Sequence, residues 1–192
     1  GNKGTLTVSL QDPSTTNEDC PVVSAGGYTG FEHYLYRVEI AHTNTTPKFK
    51  WSQFNGGLVG RGVFQAPVTD GQPGKVIITH NLQAIVHAGI GKFYLEVIEY
   101  DTALGNQQVI YGAMASLNNS NELDTTLIFG SQPVSPVPPL GKLPKTYFFR
   151  LWNGIANIAN FAVDTAKLLQ DGILLKFDNS SSSSYTPGDY WT

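Results

Sequence analysis

Short stretches in which apolar and polar residues alternate with a period of two dominate this chain, and that is the pattern of half-buried β-strands. Leu6, Val8 and Leu10 alternate with Thr5, Thr7 and Ser9. Tyr34, Tyr36, Val38 and Ile40 fall on one side of a run whose other side holds Leu35, Arg37 and Glu39. Phe49 and Trp51 alternate with Lys48 and Lys50, and Phe93, Leu95 and Val97 with Tyr94, Glu96 and Ile98. Leu127–Phe129, Tyr147–Leu151 and Ile173–Phe177 are further strand candidates. Turn formers separate the runs: Asn55-Gly56-Gly57, Asp70-Gly71, Gly105-Asn106, Asn153-Gly154 and Pro187-Gly188-Asp189. Helical spacing is confined to Ile155, Ile158, Ala159, Ala162 and Ala166, which predicts one short helix over 155–169 ending before Gly172. Residues 81–88 offer at most a helical turn. The fold class that follows is mainly β, an antiparallel sandwich or barrel with one short helix.

Residues 131–144 hold five prolines (Pro133, Pro136, Pro138, Pro139, Pro144), which predicts an extended connection. It is the natural boundary inside a single β-rich domain of residues 1–192, with sub-halves 1–130 and 145–192. A serine tract at 179–184 reads as a loop. An internal echo suggests two similar halves. Trp51 precedes Asn55-Gly56 and, 40 residues on, Gly91; Trp152 precedes Asn153-Gly154 and, 36 residues on, Gly188.

Composition narrows the chemistry. Charged residues make up 14% of the 192, against roughly 25% in ordinary domains, and the net charge is −3. No lysine–arginine cluster exceeds Lys48-Phe49-Lys50, which argues against binding nucleic acid through its phosphates. No apolar run is long enough for a membrane helix. The opening GNKGTLTVSL lacks signal-peptide character, so the expectation is a processed or excised chain, or one not exported by that route. Cys20 is the single cysteine and reads as a small buried residue.

No catalytic motif emerges. His33, His42, His80 and His87 form no metal-ligand spacing, and the expectation is no metal and no cofactor. Gly26-Gly27-Tyr28-Thr29-Gly30 has no lysine to make it a phosphate cradle, and reads as a turn. Glu99 and Asp101, two apart, would share a strand face, where two carboxylates could act as general acid and base or bind calcium. A solvated pair at a strand end is the simpler reading. Aromatics remain: three Trp, nine Tyr and ten Phe. Trp51 and Trp152 fit core positions. Tyr28, Tyr34, Tyr185 and Trp191 are the candidate binding residues, since exposed aromatics serve sugar or protein contact.

Six blocks in order carry a resemblance: YTGFEHYLYRVEI (28–40), KFKWSQFNG (48–56), GKFYLEVIEYD (91–101), FFRLWNG (148–154), LLQDGILLKF (168–177) and YTPGDYW (185–191). Together they resemble a bacterial domain-of-unknown-function family found in long proteins, over roughly residues 5–192. Lys92 and Asn153 stand where the family pattern has aspartates. Family members continue past the last block and often carry a segment before the first, so the resemblance implies an excised domain or a shortened relative. No family activity is transferable. Such genes often lie beside phage-tail-like contractile injection systems, which implies a particle-associated or extracellular setting and protein partners within a larger assembly. Three functions therefore stand as expectations. The first is a non-enzymatic structural or protein-interaction module. The alternatives are a glycan-binding module and, third, a hydrolase built on Glu99 and Asp101.

Overall fold

A computed structural model describes residues 4–12, 27–43, 46–65, 74–101, 105–127 and 146–192. The strands are β1 (Leu6–Leu10), β2 (Arg37–His42), β3 (Lys48–Ser52), β4 (Leu58–Gln65), β5 (Gly74–His80), β6 (Lys92–Asp101), β7 (Asn106–Leu117), β8 (Glu122–Leu127), β9 (Thr146–Trp152), β10 (Gly154–Asn157), β11 (Lys167–Gln170), β12 (Ile173–Phe177) and β13 (Tyr190–Trp191). Among the described residues one α-helix, α1 (Leu82–His87), joins β5 to β6. Mainly β structure with one short helix is what the alternating pattern predicted.

The chain forms two compact units, Gly1–Asn55 with Ile155–Thr192, and Gly56–Gly154. In the first, a sheet ordered β10-β3-β2-β13 and a sheet ordered β1-β12-β11 contribute to one core. Val38, Ile40 and Phe49 come from the larger sheet, and Ile173, Leu175 and Phe177 from the smaller. The larger sheet has a second face, and it is not solvated as its lysines suggest. Lys48 and Lys50 are buried, and Lys50 Nζ pairs with Glu39 Oε1 at 3.1 Å. Burial holds the Lys48 ammonium below the usual lysine range.

In the second unit six antiparallel strands close into a barrel ordered β4-β5-β8-β7-β6-β9, with β9 returning to β4. Phe93, Leu95 and Val97 of β6, Phe149 and Leu151 of β9, and Ile85 of α1 fill its core. A Cβ on Gly60 would overlap the Phe149 ring, so glycine at that position of β4 makes room for a large aromatic inside the barrel.

Three expectations need correction. Residues 155–169 are not a helix. Residues 154–157 form β10 at the edge of β3, a 3-10 turn follows at 158–160, and 167–170 form β11. The helical spacing reflects a single turn, in which Ala162 N–H donates to the Ile158 carbonyl at 2.9 Å and both residues lie in the core cluster. The α-helix lies instead at Leu82–His87, where only a turn was expected. Asn81 starts it in the left-handed region at φ 70°, and Gly89 at φ 67° stops it.

The compact units also divide at Asn55/Gly56 and Gly154/Ile155 rather than at the proline-rich segment. The echo of Trp51 and Trp152 is not a duplication in the fold. Trp51 lies on β3 of the open sheet and Trp152 on β9 of the barrel, and each echo starts in one unit and ends in the other. Cys20, the Asp70-Gly71 turn, Phe129 and the proline-rich segment lie outside the described residues.

Candidate functional site: an aromatic cap on the first unit

A grouping of rings outside the core comes from the chain entering β2. Gly27 to Tyr36 carries Tyr28, Phe31, His33, Tyr34 and Tyr36 within ten positions. Alternation predicts a strand from Tyr34, yet ladder pairing begins at Arg37. The reason is local: a turn is closed by Tyr34 N–H donating to the Phe31 carbonyl at 3.0 Å, and Leu35 makes an isolated parallel bridge to Phe54. The rings that would have lain along a strand gather into a cluster.

Within it, Phe31 and Tyr34 meet edge to face with centroids 5.4 Å apart, and Tyr34 meets Phe54 at 5.6 Å and Tyr36 at 6.5 Å. Tyr28 stands perpendicular to Tyr36 at 6.1 Å, and the His33 ring stacks on Phe31 at 5.7 Å. Phe31 is 64% exposed, Leu35 50% and Tyr28 37%. These three side chains stand exposed on a segment that the ring contacts and backbone hydrogen bonds hold in place.

A polar network ties the cap to the β11–β12 hairpin. Tyr36 donates its hydroxyl to Asp171 Oδ2. Gln170 Nε2 donates to Gln53 Oε1 at 2.7 Å and to Asp171 Oδ2 at 3.1 Å, and Trp51 Nε1 reaches Gln170 Oε1 at 3.3 Å. Thr29 N–H donates to the Asp171 carbonyl at 3.0 Å. Burial and the bond to Asp171 push the Tyr36 phenol far above its ordinary range. Burial, then the Asp171 charge, raises that of Tyr28.

The four predicted site residues fall in two places. Tyr28 and Tyr34 belong to the cap, linked through Tyr36. Tyr185 is buried and Trp191 half-buried. Both pack on Phe177 in the core, and the Tyr185 hydroxyl donates to Asp178 Oδ1 at 2.5 Å. That packing withdraws Tyr185 and Trp191 as stacking residues. Phe31, His33, Leu35, Phe54 and Asp171 were not singled out from sequence. The crowding of rings over 28–36 was the available signal for the first two.

Glu99 is half-buried, and alternation along β6 puts it on the face of Phe93, Leu95 and Val97. The side chain of Asp101 lies outside the described residues, and the Glu99–Asp101 pair with it. Among the described residues no group of three or more His, Cys, Asp or Glu could hold a metal. Among the described residues no helix is long and apolar enough to cross a membrane.

Comparison with known proteins finds no matching family model, no matching curated protein and no matching solved structure.

Proposed function

We propose that this chain is a non-enzymatic protein-interaction module, a structural component of a larger particle-associated or surface assembly, and that it docks through the aromatic cap. The observation that carries the reading is the exposure of Phe31, Leu35 and Tyr28 within eight positions of a segment anchored by hydrogen bonds to a neighbouring hairpin. Large exposed aromatics cost little conformational entropy on docking, and contiguous apolar exposure marks interaction sites. The resemblance to proteins encoded beside contractile injection systems supports a tail, sheath or baseplate protein as the partner.

A glycan is less well supported. Asp171, Gln170 and Gln53, the groups that would meet sugar hydroxyls, already hydrogen-bond to one another. The test is a pull-down from lysate of the source cells with the full chain and with a Phe31→Ser/Leu35→Ser variant, whose substituted residues are exposed. Particle proteins recovered by the first and lost by the second support the reading. Equal recovery by both, or recovery of polysaccharide alone, overturns it.

A further inference from the structure

The segment that carries the rings of the cap holds acidic charge and no basic side chain of the lysine or arginine type. Residues 27–36 contain one carboxylate, exposed Glu32 between Phe31 and His33, and no lysine or arginine. Asp171 sits against Tyr36, and its charge reaches the Tyr28 hydroxyl, where it adds to the effect of burial. Aromatic faces carry negative partial charge of their own and attract cations within about 6 Å of the ring centre. An apolar side chain would use only the area of such a surface; a cation would also use its field.

The same unit already contains the pairing that this composition favours. The Arg37 guanidinium lies 3.8 Å from the centre of the Tyr190 ring while its Nε donates to Glu39 Oε2 at 2.9 Å. One planar cation is thus held by an aromatic face and a carboxylate together. The cap offers the same two elements, unfilled by any basic residue of its own segment. A guanidinium suits them better than an ammonium, because it is planar, stacks on rings and is more weakly hydrated.

Resting on the docking role of the cap, we propose that the group it receives is an arginine side chain of the protein partner, stacked on the exposed rings of Tyr28 and Phe31 with the exposed Glu32 supplying the counter-charge. Partner recognition then depends on charge as well as on apolar area.

The test is an NMR titration of the full chain with N-acetylargininamide, and in parallel with N-acetylcitrullinamide, which has nearly the same shape but no charge. The expected result is saturating shifts at Phe31, His33 and Tyr34 with the arginine compound. Its affinity should exceed that of the citrulline compound by roughly two- to five-fold, and the margin should shrink in high salt and in Glu32→Gln. Equal binding of the two compounds, shifts confined to other residues, or no saturating shift overturns the arginine inference. If the Phe31→Ser/Leu35→Ser variant still loses its partner in the pull-down, the docking role survives that failure; if it does not, both readings fall.

Discussion

Trp152 is fully buried and donates its indole N–H to Glu96 Oε2 at 2.8 Å, a carboxylate that is itself only 2% exposed. Its truncation removes a large ring and a hydrogen bond to a charge. Trp152→Ala should therefore cost at least about 3–5 kcal/mol of stability. Trp152→Phe, which keeps most of the volume, should cost about 1.5–3 kcal/mol. Urea denaturation of both variants checks the order.

The tyrosines make a pH prediction. Folding raises Tyr36 through burial and its bond to Asp171, and raises Tyr185 through burial and its bond to Asp178. An unfolded tyrosine titrates near pH 10. Below that value both contributions are fully present. Above it the unfolded chain releases protons that the folded chain keeps, so stability falls as pH rises. The fall in urea midpoint between pH 9 and about pH 11 should be shallower in Tyr36→Phe and Tyr185→Phe than in the parent; an unchanged slope would mean that neither phenol is held by its carboxylate.

Among the elements, the β11–β12 hairpin governs the cap. Gln170 pairs with Ile173 across a two-residue turn, with Asp171 at φ 50° and Gly172 at φ 77°. That is the Asp-Gly turn that matches strand twist. The dipeptide and its apolar flanks were readable in the sequence. The helical spacing upstream competed with them and won wrongly, because one turn of 3-10 structure imitates helix periodicity over so short a distance. Gly172 is doubly constrained, since a Cβ there would also overlap the Gly27 carbonyl oxygen. Gly172→Ala should cost roughly 2 kcal/mol or more, and should disturb the Thr29 and Tyr36 contacts that anchor the cap. Thermal unfolding reads the first effect, and NMR shifts at Phe31 and Tyr34 the second. α1 was the converse case, an element of six residues whose buried anchor, Ile85, is supplied by the barrel core.

Two separate cores organise the whole molecule, one behind each unit's sheets. Phe149 and Phe177 are each fully buried in one of them. Phe149→Ala should lower amide protection chiefly in β4 to β9, and Phe177→Ala chiefly in β1 to β3 and β10 to β13, each at about 3–5 kcal/mol. Hydrogen exchange resolved by residue distinguishes this from a single cooperative collapse.

Period-two alternation, with glycine and asparagine at the breaks, was enough to establish strands and β class, because side-chain direction in a strand depends only on neighbouring residues. Core positions such as Ile40, Phe49 and Phe93 were legible for the same reason. Which strands pair, and therefore that 58–152 close into a barrel while 37–52 and 173–177 share a second core, depends on contacts distant along the chain. So does the fate of each ring. Tyr185 and Trp191 have the same local character as Tyr28 and Tyr34, yet the first two pack on Phe177 and the others stand in the cap. Burial is set by what folds over a side chain, and local sequence does not carry that.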